Sequence, residues 1–519
     1  MTNADLCSKV FNFLQQIKVD TVVVCAGARN APFVIHLEKQ KFKNIHYFEE
    51  RSAAFFALGL MESSGKPVAV ITTSGTAAAE LLPAAIESHY QGLPLILITA
   101  DRPKTYRGSG APQTIQQPGL FSYYVEQCLD WDVNTAEFRI ETALNRPLHM
   151  NICFDEPLVD SLSPISQTEN HTHVEKPFFK TAQKSDFQKI KKPLVVVGQI
   201  YESQKADVIN WICKVKAPVY LESLSQLRGE KSIAAYIIDS TDTVVKKIFE
   251  HKLCESIVRI GNVPTLRFWR DLENTFKNIA VYNFTNQNFS GLARPCENYK
   301  INFNEAVEAS NMSLTKIKEV DATLQQEKLK LLLQYPESEA ACVRHLSTAM
   351  NGAAVYLGNS LPIREWDEFS VSSLSENQPV YANRGANGID GQVSTYLGWA
   401  MQRTLSWCVV GDLTALYDLA ALGLARNTST VQRVVIINNF GGQIFSKVFN
   451  NNKFVNTHGI EFKMWASMWK WDYHMVKSQA DFKNIADAGL NLVIEIQPDS
   501  LQSKLFNSDW DTICKTTSF

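Results

Sequence analysis

Short runs of apolar, mostly β-branched residues alternate with stretches of helical periodicity along the chain. From residue 21 the order is TVVVCAG, NIHYFEERSAAFFALGLMESSG, PVAVITTSGTAAAELLPAAIESHYQG and PLILITADRP. Uninterrupted apolar strands are typical of a parallel sheet buried on both faces, and the helical stretches between them supply the covering layers. The pattern therefore predicts a doubly wound α/β unit.

The same alternation returns twice, each time after a polar segment. The segment 161–192 is poor in core-forming residues, and KPLVVVGQI, APVYLES and SIVRIGNVP follow it. After the helical stretch SLTKIKEVDATLQQEKLKLLLQYPESEAA come AAVYLGNS, PVYANRG, LSWCVVGD and RVVIINN, in a plan like that of the first unit. We predict three doubly wound parallel-sheet domains, over residues 1–178, 179–335 and 336–519.

Composition narrows the class of protein. The chain has 519 residues, 45% of them hydrophobic and 20% charged, which is ordinary for a globular protein of about three domains. Its 51 basic and 53 acidic residues give a net charge of −2, which argues against a nucleic-acid partner. We find neither cysteine pairs at metal-ligand spacing nor an apolar run of about 20 residues. We expect a cytoplasmic protein without a membrane span.

Oxygen ligands cluster in the third unit. The strand LSWCVV delivers Gly411 and Asp412, and RVVIINN ends at Asn439, just before Gly441. If the two strands are neighbours, the Asp412 carboxylate, the Asn439 amide oxygen and the Gly441 carbonyl converge at one sheet edge, where helix N-termini also favour phosphate. Such a set suits Mg²⁺ that is shared with phosphate oxygens. Taken alone, each motif is more often an ordinary turn or loop.

A second candidate lies in the first unit. The strand NIHYF ends in Glu49, Glu50 and Arg51 and opens into the helix SAAFFALGL. Carboxylates in the first turn of a helix are favoured by the helix dipole alone, so a structural role for both glutamates stays open. A functional role is also open, because the two glutamates lie at a carboxyl edge of the sheet, where open α/β sheets bind ligands.

At this point the chain resembles a known family. The GD motif and NN, 27 residues apart, resemble the thiamine-diphosphate signature, although Leu413 stands where many members have glycine. The blocks AGARNAP, FEERSAAFFALG, VITTSGTAAAELLPAAIE, LITADRP, GAPQTIQQPG, GNSLPIREWD, NRGANGIDG, GDLTALYDLAAL and INNFGGQIF are similar to those of the MenD family of the menaquinone pathway, in family order. They cover the first and third units and hardly touch the middle one.

The resemblance implies a reaction and cofactor roles. It implies decarboxylation of 2-oxoglutarate and conjugate addition of the succinyl semialdehyde carbanion to isochorismate, with thiamine diphosphate and Mg²⁺ (or Mn²⁺) as cofactors. Glu50 would activate the thiamine diphosphate and Ile389 would lie beneath it. Gly411, Asp412 and Asn439 would bind its diphosphate end, and the metal ligands would be Asp412, Asn439 and Gly441.

The resemblance also implies the substrate contacts. Both substrates are dianions, and planar guanidinium groups bind carboxylates best. The positions that match the family's substrate-binding residues are Arg29, Arg102, Gln113, Ser360, Arg364 and Arg384.

Subunits of the family meet at the active site, so the resemblance implies a homodimer or homotetramer. Glu50 would come from one subunit and Asp412 and Asn439 from another.

Two departures from the family pattern concern substrate binding. Ala28 replaces a serine and Pro112 replaces an asparagine.

Two other interpretations of the function stay open. One is a different thiamine-diphosphate enzyme, such as a 2-oxoacid decarboxylase or an acetohydroxyacid synthase. The other is a binding protein on a decayed enzyme scaffold.

Overall fold

The computed structural model describes residues 1–518 except for a set of short segments and one longer one. These exceptions are 136–137, 141, 143, 160–179, 240–241, 288, 302, 304–309, 311, 351, 373–377, 428–429, 447–448, 450 and 486–490. The predicted boundary after residue 178 lies outside the described residues. The chain forms two compact units, and the segments of unit 1 are Met1–Lys176, Asn383–Thr404 and Thr414–Thr430. Unit 2 comprises Pro177–Ala382, Leu405–Leu413 and Val431–Phe519.

Unit 1 contains a six-stranded parallel sheet. Val22, Val23 and Val24 are fully buried, as expected of a strand covered on both faces. The strands are β1 (Thr21–Cys25), β2 (Lys43–Tyr47), β3 (Val68–Thr72), β4 (Leu95–Asp101), β5 (Cys128–Trp131) and β6 (Leu148–Cys153), in the order β2-β1-β3-β4-β6-β5. The helices of this region are α1 (Asn3–Gln16), α2 (Ala31–Leu37), α3 (Glu50–Ser64), α4 (Thr76–Ala79) and α5 (Leu82–Gln91).

The middle sheet lies in unit 2, and its strands are also parallel. The strands are β7 (Pro193–Val197), β8 (Val219–Leu221), β9 (Ile237–Ile238), β10 (Ser256–Ile260), β11 (Ala280–Phe284) and β12 (Asn298–Tyr299), in the order β12-β11-β10-β7-β8-β9. The helices are α6 (Lys184–Phe187), α7 (Lys205–Val215), α8 (Asp242–Glu250), α9 (Phe268–Asp271) and α10 (Thr315–Gln334). One continuous apolar core joins this sheet to the third.

The third sheet repeats the strand order of the first. Its strands are β13 (Ala354–Leu357), β14 (Val380–Tyr381), β15 (Leu405–Gly411), β16 (Val431–Ile437), β17 (Asp472–Val476) and β18 (Asn491–Ile496), in the order β14-β13-β15-β16-β18-β17. The helices of this region are α11 (Glu339–Met350), α12 (Leu361–Phe369), α13 (Gln392–Ala400), α14 (Asp412–Tyr417), α15 (Lys463–Met468) and α16 (Ser500–Thr516).

Three parallel six-stranded sheets with interleaved helices confirm the predicted fold class. The compact units group the segments 383–404 and 414–430 with the N-terminal sheet, so they do not follow the three sequence domains. Those domain boundaries stay a prediction. The run TALYDLAALGLAR after Gly411 predicts one continuous helix, but the observed helix is shorter. It ends at Tyr417, and a 3-10 segment follows over Ala421–Asn427.

Among the residues that the structure describes, none of the helices combines the length and the apolar character needed to cross a membrane.

Candidate active site

Glu50 begins α3, directly after the carboxyl end of β2. The side chain of the preceding residue, Glu49, caps the helix by accepting a hydrogen bond from the Ser52 N–H at 3.0 Å. Glu50 itself is partly buried, and burial raises the pKa of its carboxyl, with the charges of Glu49 and Glu80 acting in the same direction. A raised pKa favours the neutral carboxylic acid. That form can donate a hydrogen bond to a ring nitrogen.

Asp418 anchors the first turn of α3 within unit 1. Its carboxylate is fully buried and accepts hydrogen bonds from the Ser394 N–H at 2.7 Å, the Ser394 hydroxyl at 2.9 Å and the Ser52 hydroxyl at 3.4 Å. The Arg51 guanidinium lies 4.0 Å from it. Burial raises the pKa of Asp418, and the Ser394 bonds and Arg51 oppose that shift. The sequence analysis missed this residue, although a lone aspartate in the run LYDLAALGLA is a usable signal.

Asp412 lies at the carboxyl edge of the third sheet. Strands β15 and β16 are neighbours, with Gly411 paired to Ile437, so the adjacency that the sequence argument required is present. The buried Asp412 carboxylate accepts hydrogen bonds from the N–H groups of Leu413 at 2.6 Å and Gly441 at 2.8 Å. Burial raises the pKa of Asp412, and these two bonds and His458 oppose the shift.

His458 is a residue that the sequence analysis did not place at the site. Its Nε2 atom lies 3.2 Å from the Asp412 carboxylate within unit 2. No motif block contains His458, and 46 residues separate it from Asp412, so nothing in the sequence pattern points to the contact.

The Asn439 side chain is held in one orientation. Its amide nitrogen donates to both carboxylate oxygens of Glu339, at 3.0 and 3.1 Å, and Glu339 lies in the first turn of α11. The Asn439 amide oxygen is buried and has no hydrogen-bond partner among the described residues. An unsatisfied buried oxygen is costly unless a cation or another donor occupies its site. Glu339 was missed because it is 100 residues away in sequence.

Gly441 has a backbone conformation that suits glycine. Its φ is +141°, and a Cβ atom would lie 2.5 Å from the Val455 carbonyl oxygen. Its N–H bonds to Asp412, which ties the two predicted metal ligands together. The carboxylate of Asp412, the unpartnered amide oxygen of Asn439 and the carbonyl of Gly441 are hard-oxygen groups of the kind that Mg²⁺ or Mn²⁺ prefers. No cluster of three His, Cys, Asp or Glu side chains suited to a metal occurs in the described part of the chain.

Three predicted substrate residues lie at the carboxyl edge of the first sheet. The Arg29 side chain is mostly buried, and its guanidinium pairs with Glu156 at 3.0 Å. Arg102 follows β4, and its Nε donates to the Pro112 carbonyl at 3.1 Å. Gln113 is exposed and has a φ of +56°. The structure thus places one arginine in an ion pair and leaves Gln113 open to solvent.

The segment around Ile389 is fixed against α3. Gly391 has a φ of +65°, and a Cβ atom there would lie 2.0 Å from the ring of Phe55, which is on the helix that begins at Glu50. Arg384 and Ile389 are both partly buried and belong to unit 1 with Glu50. This close approach puts the Ile389 segment on the helix that carries the candidate catalytic glutamate.

Ser360 and Arg364 belong to unit 2. Ser360 has a φ of +77° and precedes α12, and Arg364 lies within that helix. Burial lowers the pKa of Arg364, Asp242 opposes the shift, and Arg267 and Arg270 add to it. Arg267 lies in none of the sequence blocks that resemble the family. Its charge nevertheless acts on Arg364.

The predicted site residues are therefore divided between the two compact units. Unit 1 holds Glu50, Arg29, Arg102, Gln113, Arg384 and Ile389. Unit 2 holds Gly411, Asp412, Asn439, Gly441, Ser360 and Arg364.

The parallel sheets, the partly buried Glu50 and the oxygen set at Asp412 are the features of a thiamine-diphosphate-dependent enzyme. Residues 5–120 match the family described as "Thiamine pyrophosphate enzyme, N-terminal TPP binding domain". This match confirms the class of protein and its thiamine cofactor.

Curated relatives specify the family. The 2-succinyl-5-enolpyruvyl-6-hydroxy-3-cyclohexene-1-carboxylate synthase of Bdellovibrio bacteriovorus is 43% identical over 532 residues, covering 99% of this chain and 100% of the relative. The enzyme of the same name from Akkermansia muciniphila is 37% identical, covering 93% of this chain and 94% of the relative. That of Staphylococcus saprophyticus is 30% identical, covering 86% of this chain and 85% of the relative. The chain belongs to this synthase family of thiamine-diphosphate-dependent transferases in menaquinone biosynthesis.

Proposed function

We propose that this enzyme decarboxylates 2-oxoglutarate and transfers the remaining four-carbon acyl unit to isochorismate, forming 2-succinyl-5-enolpyruvyl-6-hydroxy-3-cyclohexene-1-carboxylate. The observation that carries the proposal is the 43% identity, along the whole chain, to a synthase whose name states that product. The relatives from Akkermansia muciniphila and Staphylococcus saprophyticus carry the same product in their name.

Glu50 has the properties needed at the pyrimidine end of the cofactor. Thiamine diphosphate, when bound, supplies a nucleophilic thiazolium carbon. Burial and nearby carboxylates raise the pKa of Glu50, which favours the acid form, and Glu49 and Asp418 hold the helix turn that carries it. Glu50 would exchange a proton with the ring nitrogen of the bound cofactor. Ile389 would support the cofactor from the segment whose Gly391 packs on the same helix.

Asp412, Asn439 and Gly441 are the proposed ligands of Mg²⁺, with Mn²⁺ as an alternative ion. Asp412 supplies negative charge, while Glu339 orients the Asn439 amide so that its oxygen is left free. Gly411 is the last residue of β15 and leaves open space beside the chain, where the diphosphate would bind. The cation would neutralise part of the diphosphate charge.

The proposed substrate contacts are charged and polar groups at loops and helix ends. Arg29, Arg102, Arg364 and Arg384 would neutralise the substrate carboxylates, and Gln113 and Ser360 would add hydrogen bonds. Arg29 is already paired with Glu156, so a carboxylate that binds it must share or displace that partner.

We further propose a homodimer or homotetramer in the cytoplasm, with each site formed by two subunits. One subunit would supply Glu50 and the other Asp412 and Asn439. The division of these residues between two compact units is compatible with such an arrangement.

Product analysis tests the reaction. The protein is incubated with 2-oxoglutarate, isochorismate, thiamine diphosphate and Mg²⁺, and the products are identified by mass spectrometry. The proposal expects the succinyl adduct of isochorismate and one CO₂ per adduct. Rapid turnover of other 2-oxo acids without isochorismate would instead indicate a decarboxylase or an acetohydroxyacid synthase. Cofactor binding with no turnover would indicate a decayed scaffold.

A further inference from the structure

Glu87 is a buried carboxylate that no step so far uses. It lies on α5, and the residue is only 3% exposed. One carboxylate oxygen accepts a hydrogen bond from the Gly385 N–H at 2.7 Å, and the other accepts one from the Ala386 N–H at 2.7 Å. The two oxygens therefore hold two successive peptide groups. These peptide groups follow Arg384 directly.

Further contacts hold the loop 383–386, which contains Arg384. The Gln91 side chain, one turn further along α5, donates to Glu87 at 2.5 Å and to the Asn383 side chain at 3.3 Å. Asn383 in turn donates to the Thr395 hydroxyl at 2.9 Å. The Gly385 backbone packs so closely on α5 that a Cβ atom would lie 2.5 Å from the Glu87 carbonyl oxygen. The loop is thus held on both sides of Arg384.

Burying a carboxylate costs more free energy than burying a neutral side chain, which argues against a purely structural role. Burial raises the pKa of Glu87, while the two N–H groups, Gln91 and the positive charge of Arg384 oppose that shift. Two acceptor oxygens in one plane match two adjacent N–H donors, and a glutamine side chain would turn an NH₂ donor towards one of them. The charge also acts on Arg384 itself. This group is therefore suited to setting the position of an arginine.

We propose that Glu87 is a positioning residue for substrate binding: through the N–H groups of Gly385 and Ala386 it fixes the loop from which Arg384 meets a substrate carboxylate. The inference rests on the proposed function, in which Arg384 contacts substrate. Glu87 itself touches no substrate in this scheme. Its effect should therefore appear in the KM of the substrate that Arg384 binds and should depend on Arg384 being present.

A double-mutant cycle on the full-length enzyme tests this dependence. The variants are Glu87→Gln, Arg384→Ala and the double variant, with Glu38→Gln, an exposed carboxylate of the same unit, as the control. We expect Glu87→Gln to raise the KM for 2-oxoglutarate or isochorismate about tenfold, with kcat within about threefold of wild type. In the Arg384→Ala background the same substitution should leave KM unchanged. The control should match wild type.

Several results would overturn the inference. It is wrong if the effects of Glu87→Gln and Arg384→Ala on KM simply multiply, or if Glu87→Gln lowers only the thermal unfolding midpoint. If Glu87→Gln does not fold, Glu87→Asp replaces it, since it keeps the charge at a shorter reach. An elevated KM that disappears without Arg384 then supports the inference, and a wild-type KM overturns it. A wild-type enzyme that forms no succinyl adduct, or an Arg384→Ala variant with normal KM values, would instead overturn the proposed function or its Arg384 contact.

Discussion

At the scale of single residues, environment decides which of two adjacent glutamates suits the chemistry. The Glu49 carboxylate caps α3 by accepting a hydrogen bond from the Ser52 N–H. Glu50 is partly buried with a raised pKa, which suits it to keep a proton. The two side chains differ in partner and burial, although they are neighbours in the sequence.

We predict that Glu50→Gln lowers kcat by roughly 100-fold or more, because an amide cannot exchange a proton with the pyrimidine ring. The free energy of unfolding should change little, since Glu50 is not the capping residue. Steady-state kinetics and thermal unfolding measure the two effects. Glu49→Gln is the matched control and should keep most of the turnover, because its amide oxygen can still cap Ser52. If Glu49→Gln loses turnover and Glu50→Gln keeps it, Glu49 rather than Glu50 acts on the cofactor.

Asp412→Ala should abolish Mg²⁺-dependent binding of thiamine diphosphate. The substitution removes the carboxylate of the oxygen set and also the acceptor for the Gly441 N–H. Titration calorimetry with and without Mg²⁺ measures the cofactor affinity. Asp472→Asn, at an exposed position on β17, is the control. Unchanged, Mg²⁺-dependent affinity in Asp412→Ala would remove the metal assignment.

At the scale of elements, α3 connects Glu50, the proposed catalytic residue, to the rest of unit 1. Its first turn is anchored by Asp418, and further along it Gly59 approaches α13 so closely that a Cβ atom would lie 1.9 Å from the Thr395 carbonyl oxygen. Small residues let the two helices pack backbone against backbone. Both contacts determine where the helix, and therefore Glu50, is held.

We predict that Asp418→Asn lowers the free energy of unfolding by about 1–3 kcal/mol. The buried Asp418 carboxylate accepts hydrogen bonds from the N–H and the hydroxyl of Ser394, and an asparagine would place its NH₂ group, itself a donor, against one of them. The substitution should also reduce kcat by loosening the turn next to Glu50. Thermal unfolding and steady-state kinetics are the measurements. A fully active variant with normal stability would show that the Asp418 contacts do not hold α3.

At the scale of the whole molecule, the question is which chains share a site. The family resemblance implies that Glu50 and Asp412 act from different subunits. In the alternative arrangement, both residues of a site come from the same chain. A subunit-mixing experiment separates the two arrangements.

We predict that mixing Glu50→Gln subunits with Asp412→Ala subunits restores about a quarter of wild-type activity. Random exchange makes about half of the dimers mixed, and in a shared-site dimer one of the two sites of a mixed pair has both residues intact. Subunits are exchanged under mild denaturant and then assayed, and each variant exchanged with itself is the control. If the mixture stays inactive while mass spectrometry shows mixed dimers, each site is formed within one chain.

The amino-acid sequence alone was enough for the fold class and the family, and its local motifs supplied the candidate site residues. Uninterrupted apolar runs predict a parallel sheet, because strands that are buried on both faces need apolar side chains on both. The GD and NN motifs lie where strands end, which is where such sheets bind ligands. Only the tertiary structure identified Asp418, Glu339, His458 and Glu87 as partners of the motif residues. Their contacts join residues tens to hundreds of positions apart, and pairings of that kind leave no periodicity in a single sequence. They form only when the chain packs and the buried polar groups must find partners.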